Sequence, residues 1–259
     1  MRWARPERRP GWPVVILAAL VGVAAGLSLP RAQATGAVFV DAGTVNASFQ
    51  VGTCSGSWSA AVAGLAPLRH WDFSAASTPA GDLPAPGLLV CDPSGALSLH
   101  GAAEENVTDP SGAIPEVSFG AVALWVQLSD TAATGDLVWA IGADGTRSGL
   151  RVSGGQLEVV EVPAPGDPVS VLAQAAAPGP GPHLVTLARA GGDLTLYVDA
   201  SAVATATLSA TGTGDLTLVV GAPTGSTEDA ATGAVDEVLV LPVTPSAAQV
   251  AALVAANAW

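Results

Sequence analysis

Beyond Leu68 the chain is a succession of short apolar runs, each closed by glycine, proline, asparagine or aspartate. Leu137 to Ile141 and Ser148 to Val152 flank the turn Gly142-Ala-Asp-Gly145. Gly154-Gly155 separates Arg151-Val152 from Leu157 to Val162, a tight-turn pattern. His183 to Ala190 runs into Gly191-Gly192 and then Leu194 to Val198. There Leu194, Leu196 and Val198 share one strand face, with Thr195 and Tyr197 on the other. Asp199-Ala-Ser201 turns the chain into Ala202 to Leu208, and Leu216 to Val220 and Val235 to Leu241 follow. Many short strands at about 8–12-residue spacing describe a β-sandwich or barrel. Strand-turn-strand pairing without long helices excludes an α/β fold. The expected class is therefore all-β.

Three further stretches complete this reading. Val117 to Leu128 alternates Val117, Phe119, Ala121, Ala123 and Trp125 with smaller or polar residues, which predicts a half-buried strand. Pro163 to Pro182 is rich in proline, alanine and glycine and reads as a loop. Ser246 to Ala255 switches to helical spacing, with Val250, Leu253 and Val254 clustered, so a short C-terminal helix is expected. Ser246 and Gln249 fit a capping box after Pro245.

The N-terminus has a different logic. Arg2, Arg5, Arg8 and Arg9 precede an apolar run from Val14 to Leu29, followed by Ala32-Gln-Ala34. Basic, apolar and small-residue regions in that order make a secretory signal peptide, with cleavage between Ala34 and Thr35. The alternative is an uncleaved membrane anchor, although the run is shorter than the ~20 residues that span a bilayer. The expected organisation is a signal peptide over 1–34, an extension with one or two short strands over 35–67, and a main domain over 68–259. The stretch from Thr35 to Val45 resembles the mature start of exported proteins with a SipW-type signal peptide, the group of biofilm fibre subunits and camelysin. That resemblance covers fewer than about twenty residues of common types.

Charge limits the partners. The whole chain carries a net −13, with 9 arginines, no lysine and 12% charged residues. Soluble domains average about 25%. The hydrophobic share of 49% excludes a disordered acidic tail. Without residues 1–34, four arginines face 21 acids, a charge near −17. Nucleic-acid binding needs a basic face and is not expected. A scattered acidic excess reads first as solubility, and as divalent-cation binding only where acids converge. Cys54 and Cys91 belong to no C-x-x-C pair; outside the cytoplasm an even pair reads as a disulfide.

Five segments together resemble the laminin G-like family. The hairpin His183-Leu-Val-Thr-Leu-Ala-Arg-Ala-Gly-Gly-Asp-Leu-Thr-Leu-Tyr-Val-Asp199 resembles that family's HHVALTRDGGTLRLYVDG. Gly233-Ala-Val-Asp-Glu-Val-Leu-Val240 resembles G-x-IDEVRVY, and Pro245 to Leu253 resembles the closing LSAAEIAALY helix. His70-Trp-Asp-Phe73 with Asp92-Pro-Ser-Gly95 is similar to the opening HWPLDE…DSSG, and Phe119 to Val126 to FTVSAWV. They occur in family order across Leu68 to Trp259. The resemblance implies a concanavalin A-like jelly roll, two antiparallel sheets packed face to face. Two positions depart from the family. Pro182 stands where tryptophan is usual before the histidine. Ala200 stands where glycine follows the hairpin aspartate, which implies a different turn type.

The concanavalin A-like sandwiches that the chain resembles include glycoside hydrolases, so the carboxylates decide between a catalyst and a binding module. Retaining glycoside hydrolysis needs two carboxyl groups about 5–5.5 Å apart. Asp236-Glu237 are adjacent, and Glu158 and Glu161 three apart; on regular strands each pair faces opposite ways. His70, His100 and His183 follow no metal spacing. The resemblance allows one structural calcium ion, for which Asp72 and Asp236 are the candidate ligands, or else Asp236 serves the backbone. Trp71, Trp125 and Trp139 read as core before they read as sugar platforms. Trp58, in a Gly/Ser-rich stretch, reads as exposed. His183 and Tyr197 read as hairpin packing. The expectation is a secreted, non-catalytic module that binds a glycan or a surface protein. The alternative is a structural subunit of a surface or biofilm fibre, and a polysaccharide hydrolase ranks last. A membrane is a partner only if the signal segment stays.

Overall fold

A short helix, α1 (Ser55–Leu65), opens the described structure and fifteen strands follow it. In order they are β1 (Arg69–Trp71), β2 (Pro84–Ala85), β3 (Ala96–His100), β4 (Asn106–Thr108) and β5 (Ile114–Pro115). Then come β6 (Ala121–Asp130), β7 (Gly135–Gly142), β8 (Arg147–Ser153), β9 (Gln156–Val162) and β10 (Ser170–Ala176). The last are β11 (His183–Ala190), β12 (Asp193–Val198), β13 (Ser201–Thr207), β14 (Asp215–Gly221) and β15 (Thr232–Leu241), before helix α2 (Ala247–Ala256). This computed structural model describes residues 55–73, 84–85, 95–109, 113–132, 134–209 and 214–257. All of them fall in one compact unit, Gln50–Ala258.

The strands form two antiparallel sheets. The larger has the order β13-β12-β11-β6-β15-β3-β2, with β1 also paired to β15. The smaller has the order β10-β9-β8-β7-β14-β4, with β5 also paired to β14. The main core lies between them. Leu124, Val126, Leu187, Leu196 and Val240 come from the larger sheet, and Leu137, Leu150, Leu157, Leu218 and Val220 from the smaller. Alternation along each strand delivers one face to this core. The two-sheet jelly roll with a closing helix is present, capping box included: the Gln249 amide donates to Ser246 Oγ and the Ser246 amide to Gln249 Oε1.

The outer face of the larger sheet is also dry. Helices α1 and α2 lie over Ala121, Ala123 and Trp125 of β6, Leu184 and Ala188 of β11, and Leu239 and Leu241 of β15. Trp58 is 2% exposed, and meets Trp125 edge-on with ring centroids 6.3 Å apart. The exposure expected of Trp58 is therefore corrected. β6 is buried on both faces over Ala121 to Val126, not half-buried. Its alanines keep the sheet surface low enough for helices to pack closely.

Three other expectations change. Glu116–Ser118 forms a 3-10 turn, so Val117 is 96% exposed instead of opening a strand. Pro163 to Pro182 contains β10, an edge strand whose alanines are half out in solvent. The β12–β13 turn keeps the tight form that the alanine argued against. Val198 pairs with Ser201, and Asp199 and Ala200 between them have φ of 48° and 69°. Two central residues at positive φ are the mark of a type I′ turn. Asp199 holds it, accepting from the Leu184 amide at 3.0 Å and meeting His183 Nδ1 at 2.5 Å. The strands expected over Thr35 to Thr53 lie outside the described residues.

Candidate functional site

Strand register sets out the outer face of the smaller sheet as three cross-strand rows. One row runs Thr217–Ile141–Arg147–Val162. The middle row runs Thr108–Val219–Trp139–Gly149–Val160–Val171. Beyond an irregularity between Asp136 and Val138, the third runs Asp136–Arg151–Glu158–Gln174. Trp139, Val160, Val162 and Val219 form a small apolar cluster with Ile141 and Val169.

Two loops rise over this face, the β9–β10 loop and the β14–β15 loop. Between them lies a cleft of about 270 Å³. Its lining includes Trp139, Arg147, Asp167, Gly225, Ser226 and Thr227. Trp139 and Val162 form an apolar floor, and the walls mix Pro165, Pro168 and Val169 with Asp167, Ser226 and Thr227, the usual composition of a small-ligand site.

Asp136 secures the second wall. It is fully buried, accepts from Ser226 Oγ at 2.6 Å and bridges to Ala230. Its amide donates to Asp229 O and its carbonyl accepts from the Ala231 amide, both at 2.8 Å. Burial pushes its carboxyl up from 3.8 to about 6; Ser226 and Trp139 donors and Arg151 oppose this, and Glu228 adds to it. The Trp139 indole N–H is near enough to act on Asp136 yet forms no full hydrogen bond, leaving Asp136 Oδ1 unsatisfied. Arg151 is held at 2.6 Å by Glu158. With no exposure, Asp136 cannot touch a substrate, so it anchors the loop.

A raised folded pKa makes ionised Asp136 a cost. Its stabilising contribution is full below pH ~4 and is lost as pH rises through about 6. The loss is on the order of 2–3 kcal/mol. Denaturant titrations from pH 4.5 to 7.5 are expected to show that slope in the native chain, and a flatter profile in Asp136→Asn. Equal slopes would remove the assignment.

A larger groove, about 490 Å³, sits at one end of the sandwich and includes Glu116, Val117, Arg189, Val243 and Thr244 in its lining. Its polar groups are already engaged with one another. Arg189 pairs with Glu116 at 2.5 Å and donates to Gly191 O, and Thr244 Oγ1 donates to Arg189 O. The cleft on the smaller sheet is the better site, because its arginine is not engaged in this way.

The residues singled out from sequence are scattered. Asp236 is buried, and its Oδ1 accepts from the Glu237 amide at 2.8 Å. A register shift between Asp236 and Leu239 breaks the alternation expected there, and Glu237 has φ 49°. The Glu237 carboxylate, 1% exposed, bonds His70 Nε2 and leaves Oε1 without a partner. Asp72 follows Trp71, which pairs with Val238. Asp72 and Asp236 thus belong to the same region of paired strands. No group of three or more His, Cys, Asp or Glu suited to a metal occurs among the described residues. Calcium takes six to eight oxygens, more than these side chains supply. Glu158 and Glu161 do part: Glu158 pairs with Arg151, while Glu161 accepts from Ser209 across the sheet edge. Trp125 and Trp139 are core, and Trp71 packs half-buried against the main core. Tyr197 packs beneath the helices. Cys54, Cys91, Ala34 and Thr35 lie outside the described residues. Sequence reasoning missed Arg147, Asp136, Asp167 and Ser226. The available signal was the i, i+2 spacing of Arg147, Gly149 and Arg151 on β8.

Two face-packed antiparallel sheets with a roofed cleft on one outer face define a lectin-type jelly-roll sandwich. The chain belongs to the concanavalin A-like lectin/glucanases superfamily, whose Laminin_G_3 model matches residues 101–251. Among solved structures, it is similar to the botulinum neurotoxin serotype D ligand binding domain in complex with N-acetylneuraminic acid. The TM-score is 0.56 at 11% identity, covering 75% of this chain and 52% of that one. The chain thus spans about half that domain. A heptameric SAP-like pentraxin from Limulus polyphemus matches with TM-score 0.46 at 14% identity, covering 60% of this chain and 78% of that one. Trypanosoma rangeli sialidase matches with TM-score 0.42 at 16% identity, covering 53% of this chain and 23% of that one. No curated protein matches the chain.

Proposed function

We propose that the protein is an exported, non-catalytic carbohydrate-binding module whose ligand occupies the cleft between the β9–β10 and β14–β15 loops. The observation that carries this reading is the cleft itself: apolar Pro165, Pro168 and Val169 over buried Trp139, with Arg147, Asp167 and Thr227 around them. Sugars offer both an apolar ring face and hydroxyls, and such a lining answers both. Superfamily membership supports the same reading, although a fold alone carries no function. Two carboxylates beside the cleft argue against catalysis there: Asp136 is sealed and Glu158 is tied to Arg151. A glycan array with the full chain tests the proposal. Saturable binding that competes with labelling of the cleft supports it; hydrolysis of any arrayed polysaccharide, or no glycan binding, overturns it.

The fibre-subunit alternative draws on one feature, edge strand β13. Its sequence Ser-Ala-Val-Ala-Thr-Ala-Thr carries no charge or proline, the usual protections of an open edge. Ordered polymers without glycan binding would favour it. A structural calcium ion at Asp72 and Asp236 is a separate proposal, requiring oxygens beyond those two side chains. A bound ion raises the melting point, so calcium is expected to raise Tm above the value in chelator. Coincident melts remove the ion.

A further inference from the structure

The geometry points to a saccharide bearing a single carboxylate as the ligand of the cleft, with Arg147 holding that carboxylate; this rests on the glycan reading above. Four arginines lie among the described residues. Arg69 pairs with Asp109 at 3.0 Å, Arg151 with Glu158 at 2.6 Å and Arg189 with Glu116 at 2.5 Å. Arg147 makes no ion pair with a described residue, and it lines the cleft.

Strand register explains the difference between the two arginines of β8. Arg151 stands across from Asp136 on β7 and Glu158 on β9. Arg147 stands across from Ile141 on β7 and Val162 on β9. One row therefore neutralises its arginine from within, and the other surrounds its arginine with apolar neighbours. In a chain with 22 acids and 9 arginines, a cationic side chain without an acid opposite it is a conspicuous vacancy of charge. Its guanidinium presents a planar donor fork matched to a carboxylate.

The remaining lining narrows the ligand. Thr227 carries a hydroxyl suited to a sugar hydroxyl, Asp167 accepts hydrogen bonds, and Ser226 stays bonded to Asp136 beneath them. Asp167 also repels any anion placed beside it. A ligand with one acid group among hydroxyls fits that mixture; a polyanion does not. The chain's net charge of −13 adds to the penalty for a polyanion.

The test compares carboxylated glycans with their carboxyl-reduced forms and with multiply sulfated glycans, using the full chain. The carboxylated form is expected to bind about tenfold or more tightly than its reduced counterpart, the scale of a hydrogen bond to a charged group. Arg147→Gln is expected to erase that preference, so that acid and reduced forms bind alike, and Arg147→Lys to keep part of it. Equal affinity for acid and reduced forms, a preference retained in Arg147→Gln, or tighter binding of sulfated glycans overturns the inference. In those outcomes the glycan reading survives; if no glycan binds, that reading falls too. Should Arg147→Gln fail to fold, the comparison of acid and reduced forms on the unaltered protein still decides.

Discussion

Trp58→Ala is expected to destabilise the protein by about 3–5 kcal/mol, the range for truncating a buried tryptophan. Trp58 is 2% exposed and stacks edge-on against Trp125. It is the largest side chain that α1 places on the sheet. Its removal leaves a cavity beside Ala121 and Ala123, whose methyl groups cannot fill the space. Part of the loss is offset, because the Trp58 indole N–H is buried without a partner. Urea titration with the linear extrapolation checks the figure. A change below about 1 kcal/mol would mean that α1 contributes packing of the surface kind only. Binding of an apolar dye should rise in the variant, since Trp125 and Leu184 lose their cover.

Gly149→Ala is expected to cost about 3 kcal/mol and to disturb the cleft floor. A Cβ at this position would lie 2.2 Å from the Val138 carbonyl oxygen, and 3.1 Å from both Cα and Cδ2 of Trp139. The nearest atom is backbone in the neighbouring strand, so no rotamer change relieves the contact. β7 and β8 must separate, and Trp139 must shift within its row. Gly179→Ala is the control, since a Cβ there meets nothing within 4 Å. Thermal melts of the two variants should differ widely, and tryptophan fluorescence should change only for Gly149→Ala. Matching melts would show that the sheet accommodates the methyl group.

Legibility in the sequence followed burial. β7, β8, β9, β11 and β12 were readable because each delivers branched or leucine side chains to the main core at alternate positions. β10 was not, because it lies at a sheet edge and meets the core only through Leu172 and the small Ala173 and Ala175, which leave no strong alternation to read. Helix α1 was hidden by its Gly/Ser content, although Trp58, Ala61, Val62 and Leu65 occupy the i, i+3, i+4 and i+7 positions of one stripe. The type I′ turn was misjudged because packing and the Asp199 bonds outweigh the cost of placing Ala200 at positive φ, about 1–2 kcal/mol. The cleft was the least legible part. Its residues come from β7, β8 and two distant loops, and what separates Arg147 from Arg151 is the pairing of three strands, which no local pattern records.

The two helices make the sandwich one-sided. Their packing closes the broad face of the larger sheet, while loops roof the other outer face and leave it open. The polypeptide enters the described fold at Ser55, through the helix-covered side. Helices and cleft thus occupy opposite outer faces of the sandwich, so a ligand reaches the cleft without displacing either helix.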